Sequence, residues 1–242
     1  MTILHQAADW LAVDKPRGVF VHPPEDGRGN VPPEETALHR VRDQIGRKLF
    51  PVHRLDRPTS GVLIFALTSA RAAWFQVQFQ SNSIEKYYTT VVRGWIDHMF
   101  TCETPLKIYG GGGESNAARD ARTTLTPIAR TVVPHPLGAF PSARLSMIVA
   151  QPHTGRFHQI RRHLAHLGHP VAGDTTHGDL RFNRYIEEHL GWNGLQLRAA
   201  SLQVPADGST PDMLSPTFIS APWPDDWQPV LTYFNLSPKC PG

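Results

Sequence analysis

Apolar positions along the chain fall into two rhythms, one of strands and one of helices. Residues 61–67 (Gly-Val-Leu-Ile-Phe-Ala-Leu) are almost wholly apolar, which predicts a strand buried on both faces. Residues 11–15 read as a short strand stopped by Pro16, with Gly18 making the turn. The β-branched and aromatic density of residues 86–96 predicts another strand, and residues 145–150 a further one. Helical spacing appears three times. Thr36 caps a segment whose Leu38, Val41 and Ile45 share a face and which ends at Gly46. Ser69 opens an amphipathic helix to about Gln80, with Ala73, Val77 and Phe75, Phe79 as spaced apolar pairs. From Thr154 to Leu167, Phe157, Ile160, Leu164 and Leu167 line one side, and Gly168 and Pro170 end the run.

Between these segments the punctuation is polar or glycine-rich. Residues 22–35 read as a surface loop. Gly110 to Gly113 form a run of four glycines before Glu114-Ser115-Asn116, and this also reads as a loop. With no neighbouring Lys-Ser/Thr, the run is not a phosphate-binding loop. After Pro205 the chain is proline-rich, with Trp223 and Trp227 as isolated apolar groups. No internal repeat or linker is visible. The expectation is one mixed α+β domain over residues 1–242, with several strands, two to four helices, a core from about 8 to 205 and a C-terminal segment from 206 to 242.

Composition narrows the partners. The 242 residues carry 24 Lys and Arg against 21 acids, a net +3, and thirteen histidines stand beside them. A basic chain of this kind favours a nucleic-acid partner. Residues 153–169 concentrate the effect, with Arg156, Arg161, Arg162 and five histidines and no acid. They form either a phosphate-backbone footprint or a solvated helix face. No stretch of eighteen apolar residues exists, so no membrane span is expected, and the N-terminus does not read as a secretory signal. Two cysteines, Cys102 and Cys240, are too few for a disulfide framework and point to a reducing cytoplasm.

The chemistry concentrates at Asp56, in the run His53-Arg54-Leu55-Asp56-Arg57-Pro58-Thr59-Ser60-Gly61. An acid between two permanent cations is biased to stay ionised, as covalent catalysis by a carboxylate requires. The same grouping also fits a surface ion-pair cluster. If residues 53–57 are extended, Arg54 and Asp56 point to one side and Leu55 to the other. On the later helix, His158, Arg161 and Ala165 share a face away from the apolar stripe, which leaves Arg161 able to reach the Asp56 loop. Tyr87 and Tyr88 face opposite ways on their strand, either both packed in the sheet or one turned to a pocket that stacks bases. His163, His166 and His169 recur every third residue, but the run holds no other ligand type and breaks at Gly168. No metal site is expected there.

Taken in order, these segments resemble the RluA family of pseudouridine synthases. The opening signature is similar to Asp14-Lys15-Pro16-Arg17-Gly18 with Val21-His22. The catalytic signature is similar to His53-Arg54-Leu55-Asp56 with Thr59-Ser60-Gly61. The later one is similar to Thr154-Gly155-Arg156 and His158-Gln159-Ile160-Arg161, continuing through Gly173-Asp174. The likeness runs from about residue 8 to 205. Within the family it is strongest to the branch acting on uridine 65 of tRNA, through residues 54–62, 161–167 and 173–179 with Asn183. His177 stands where many relatives carry a tyrosine.

The resemblance implies a single catalytic domain with a mainly antiparallel mixed sheet, flanking helices and a central RNA-binding cleft. It implies no separate N-terminal RNA-binding domain. It also implies a cofactor-free isomerisation of uridine in RNA, most naturally tRNA, in the cytoplasm. In that reading Asp56 is the nucleophile, Arg161 pairs with it, and Tyr88 stacks on the flipped base and assists the proton on C5. Arg54 fills the space the nucleotide leaves, while Arg57, Arg156, His158 and Arg162 bind RNA. Leu197 forms a pocket wall, although Arg198 stands where relatives usually carry histidine. The glycine run has no counterpart in the likeness. The alternatives are a ribosomal or other tRNA target, and a non-catalytic RNA-binding module of the same fold.

Overall fold

In a computed structural model the described residues are 1–23, 31–110, 113–208 and 213–236. They divide into two compact units, Met1–Lys86 with Ala199–Ala221, and Tyr87–Arg198 with Pro222–Gly242.

In the first unit, β1 (Thr2–Gln6) pairs antiparallel with β2 (Trp10–Lys15). Helix α1 (Ala37–Ile45) follows. Thr36 caps its start, with the side chain accepting the His39 N–H, and left-handed Gly46 ends it, as expected. The two-residue strand β3 (Phe50–Pro51) leads to β4 (Ser60–Ala66), in which every residue is buried. Its seven buried positions bear out a strand covered on both sides. β2 lies antiparallel along β4 from Trp10–Ala66 to Lys15–Gly61. Helix α2 (Ser69–Gln80) opens at Ser69 and runs to Gln80 as expected, with Thr68 capping it by accepting the Arg71 N–H. Its core face carries Ala72, Phe75 and Phe79, whereas Ala73 is exposed and Val77 is 58% exposed. The expected Ala73–Val77 stripe therefore points to solvent, because only one 3.6-residue stripe of a helix can meet the sheet.

The second unit is built on β5 (Glu85–Arg93), which straddles the boundary, β6 (Phe100–Cys102), β9 (Thr123–Val133) and β10 (Ala143–Pro152). β10 is central, antiparallel to β5 on one side and to β9 on the other, and β9 carries β6. β7 (Leu106–Gly110) and β8 (Gly113–Arg119) form a separate hairpin, with Gly110 opposite Gly113. The glycine run expected as a loop thus supplies the last rung of a hairpin, and residues 111–112 lie outside the described residues. So do residues 24–30 of the expected 22–35 loop.

Helices α3 (Gln159–His166) and α4 (Leu180–Leu190) follow, α4 being capped by the Asp179 carboxylate, which accepts from Arg181 and Phe182 N–H. β11 (Leu197–Val204) then crosses into the first unit. There β4 and β11 are neighbours, and β12 (Thr217–Ser220) pairs with β11. Helix α5 (Gln228–Tyr233) closes the described chain. The described residues therefore hold five α-helices where two to four were expected. The proline-rich tail is not peripheral: Met213 and Ile219 join the core of the first unit, and Trp227, Val230 and Leu231 join a core of the second. Gly61 permits the approach of β11 to β4. Its φ is +111°, and a Cβ there would meet the Ala199 carbonyl oxygen at 2.0 Å.

Candidate active site and its supports

The first unit presents Arg54, Asp56 and Arg57 on the turn between β3 and β4. Asp56 is half-buried and both arginines are exposed, with Leu55 buried between them. The turn is held from beneath. Lys15 Nζ, wholly buried, donates to the carbonyls of Pro16, Val19 and Arg57 at 3.0, 2.8 and 3.2 Å. The Arg57 carbonyl also accepts the Gly18 N–H, while Arg57 Nε donates to the Gly18 carbonyl at 3.0 Å and its guanidinium lies over Phe20. Thr59 N–H closes the turn on the Asp56 carbonyl. The opening and catalytic signatures, forty residues apart, are thus tied by their backbones. Burial pushes the Lys15 ammonium down to about 7, opposed by the negative charges of Asp56 and Asp14.

His53 supports the same turn from its other end. Its Nε2 accepts the Ile64 N–H at 2.9 Å, and its ring stacks on Phe79 with centroids 4.7 Å apart. Accepting at Nε2 places the proton of the neutral ring on Nδ1.

The second unit carries Tyr88, Arg156, His158, Arg161, Arg162 and Leu197. The helix expected from Thr154 begins only at Gln159, because His158 takes a left-handed conformation (φ 49°, ψ 32°). The residues before it form a turn organised by the buried Gln159 amide. Its oxygen accepts from Thr154 Oγ1 and Arg156 N–H, and its nitrogen donates to the Arg122 carbonyl and Thr123 Oγ1. Every hydrogen-bonding valence of that amide is used. Phe157, expected on the apolar stripe, stands off the helix and is 44% exposed.

Arg161 is 3% exposed. Its Nε and Nη2 grip both oxygens of Asp174 at 2.8 and 2.7 Å. Asp174 Oδ1 also accepts the N–H groups of Thr176 and His177. Burial alone would push this carboxyl up. The Arg161 hydrogen bonds and the His177 and Thr176 N–H groups outweigh it and hold the carboxyl below its usual range. The His177 ring in turn bonds His158, Nε2 to Nδ1 at 2.8 Å.

Tyr88 and Leu197 converge on one apolar cluster with Val92, Ile148, Ile160, Leu164 and Leu195, so the strand and α3 share a core. Tyr87 and Tyr88 are both half-buried, and Gln151 Nε2 donates to the Tyr87 hydroxyl. Arg156 Nε donates to the Asp120 carbonyl. Arg162 Nη1 donates to the Lys107 carbonyl, and its guanidinium lies over Tyr109.

The three regularly spaced histidines go separate ways. His163 is buried between Thr123 Oγ1 and the Thr104 carbonyl, His169 Nδ1 donates to the Arg93 carbonyl, and His166 is exposed. Among the described residues no group of three or more His, Cys, Asp or Glu is placed to hold a metal ion. Nor is any described helix long and apolar enough to cross a membrane.

Residues 15, 53, 174 and 177 were legible only as parts of motifs. Asp174, between glycine and two threonines, carried a turn signal but no sign of its partner thirteen residues upstream.

Comparison with known proteins adds an independent line. The family described as RNA pseudouridylate synthase matches residues 9–166. The chain is 39% identical to tRNA pseudouridine synthase C of Vibrio cholerae serotype O1, over 97% of this chain and 96% of that protein. It is 37% identical to tRNA pseudouridine synthase C of Haemophilus influenzae, over 97% and 98%. Among solved structures, Human RNA Pseudouridylate Synthase Domain Containing 1 is similar in fold, with a TM-score of 0.70 at 24% identity, covering 95% of this chain and 85% of that one.

Proposed function

The chain belongs to the RNA pseudouridylate synthase family, and from that membership we propose that it isomerises uridine 65 of tRNA with Asp56 as the nucleophile. That it is an RNA pseudouridine synthase follows from the family. The choice of tRNA is supported by the names of its relatives, and the position by the branch signatures in residues 54–62 and 173–179.

In the proposed reaction the uridine leaves the RNA stack, at a cost of a few kcal/mol. Asp56 supplies the electron pair, at the base or at the sugar, and the N1–C1′ bond breaks. The uracil turns, C5 bonds to C1′, the C5 proton is lost and N1 gains one. Product and substrate are isomers, so the reaction as written consumes no co-reactant. Tyr88 stacks on the turned base and assists at C5. Arg161, oriented by Asp174, pairs with Asp56. Arg54 takes the space of the flipped nucleotide, Arg57, Arg156, His158 and Arg162 contact RNA, and Leu197 walls the pocket. Acting on tRNA, the enzyme works in the cytoplasm.

The observation that carries this reading is the Asp56 turn. It is a half-buried carboxylate on a turn whose backbone is pinned by a buried ammonium, which is the preorganisation a nucleophile needs. The test is Asp56→Asn, assayed on an unmodified tRNA transcript with pseudouridine mapped by chemical labelling. Loss of isomerisation with RNA binding kept is expected, and retained turnover removes Asp56 from the mechanism. Conversion confined to ribosomal RNA would overturn the tRNA assignment.

A further inference from the structure

Three aromatic rings from two parts of the second unit, one on a hairpin and two consecutive before α3, stand in contact. Tyr109, on β7, meets Phe157 with centroids 4.9 Å apart, and Phe157 stacks on His158 at 3.7 Å and 20°. Tyr109 is 42% exposed and Phe157 44%. Exposed apolar side chains are ordinary, and Phe140 and Phe218 are more open still, but Tyr109 and Phe157 touch and so form one exposed aromatic patch. The array is also held. His158 takes a left-handed backbone that a β-carbon disfavours, and this folds its ring back on Phe157, while the bond to His177 fixes the ring. The Arg162 guanidinium lies over Tyr109. Among the described residues none of the three belongs to the large buried clusters, so the strained backbone at His158 is not spent on packing those cores.

The surroundings fix the class of occupant. Lys107 and Arg119 lie on the same hairpin, and Arg156 and Arg162 flank Phe157 and His158 in the chain. Rings interleaved with cations match a single nucleotide, whose base stacks and whose phosphate meets a guanidinium. The array is an open shelf, whereas an isomerised base needs enclosure from water.

We infer that Tyr109, Phe157 and His158 form a stacking platform for one unpaired base of the RNA substrate, other than the uridine that is isomerised. The inference rests on RNA being the substrate. It predicts that recognition requires an unpaired nucleotide in the RNA besides the target uridine, and that this contact contributes to binding without taking part in bond breaking.

The test uses the full chain with two probes: a single-stranded RNA pentamer carrying 2-aminopurine at its centre, and an unmodified tRNA transcript. Wild type should quench 2-aminopurine. Phe157→Leu should bind the pentamer about tenfold more weakly, with the salt dependence of binding unchanged since no phosphate contact is lost. Phe157→Trp, which keeps a ring, should bind at least as well as wild type. On tRNA, Phe157→Leu and Tyr109→Ala should raise KM about tenfold and leave kcat within twofold. Both positions are exposed, so unchanged melting temperatures are expected. Equal quenching by wild type and Phe157→Leu, or a weakening accompanied by a shallower salt slope, overturns the platform. Quenching without turnover of any tRNA leaves the platform and removes the tRNA reading. Turnover with KM indifferent to both substitutions does the reverse.

Discussion

The imidazole of His53 takes the hydrogen bond from Ile64 that a further residue of β3 would otherwise accept. β3 pairs with β4 through Phe50–Ala66 and Pro51–Phe65, and at the next rung the Ile64 N–H goes to the ring. The ladder is satisfied while the backbone turns away, and the turn bearing Asp56 begins where the strand stops.

His53 is also sensitive to acid. Burial first, and the charge of Lys86 second, push its pKa down to about 3. Between about 3 and the ordinary 6.5 the unfolded chain takes a proton that the folded one refuses. The contribution is complete above 6.5 and is lost as pH falls towards 3. His53→Gln, which keeps an acceptor, should flatten the loss of stability across that window. His53→Ala should cost about 1–3 kcal/mol at pH 7 by leaving a buried N–H unmet. Urea unfolding from pH 3 to 8 measures both, and identical slopes for wild type and His53→Gln would sink the argument.

Lys15 titrates on the other side of neutrality. Its folded value of about 7 lies below the ordinary 10.5 because burial disfavours the cation. Its contribution is complete above 10.5 and is lost as pH falls through 7, so stability should rise with pH between the two. Lys15→Met should abolish that rise. It should also lower kcat by about tenfold or more, since three carbonyls lose the donor that sets the Asp56 turn. A variant with the wild-type pH profile and full kcat contradicts this.

Asp174 and Arg161 form a buried two-point pair. Asp174→Asn removes the charge and should cost about 3–5 kcal/mol, visible as a lower urea midpoint. Because the folded carboxyl titrates below its usual range, the wild-type contribution is present above about pH 4 and fades in stronger acid. In turnover the substitution should lower kcat more than it raises KM, since Arg161 would be misaligned with RNA contacts intact. An effect on KM alone would assign Asp174 to binding.

Two glycines separate space from motif. Gly61→Ala should destabilise by about 3 kcal/mol or more, from a positive φ and a clash with the Ala199 carbonyl. Gly155→Ala meets nothing within 4 Å and should stay within about 0.5 kcal/mol. Thermal unfolding of both variants makes the comparison, and equal effects would refute it.

What could be read in advance follows from how local its cause is. β4 is plain because an almost wholly apolar run from Gly61 to Leu67 leaves few alternatives, and α1 because its cap and its terminal glycine are local signals. The start of α3 was misplaced because periodicity does not register one left-handed residue or an amide that saturates a turn. Periodicity therefore places Phe157, four residues before Arg161, on the wrong surface. α2 offered two apolar stripes, and only the sheet beneath it chose between them. The contact of Lys15 with the Arg57 carbonyl joins two motifs, and the pairing of Asp174 with Arg161 joins the two ends of one, so neither is contained in a short window of sequence.

The neighbouring of β4 and β11 also has a history within each molecule. The first unit is made of Met1–Lys86 and Ala199–Ala221, with the whole of 87–198 between them in the chain. At roughly 5–20 residues per second on the ribosome, the later segment follows the earlier by on the order of ten seconds. During that interval the seven buried residues of β4 lack the strand that shields one edge. A nascent enzyme therefore passes through a stage with an open, hydrophobic strand edge, and synthesis rate and chaperone supply, as much as final stability, set how many copies escape aggregation.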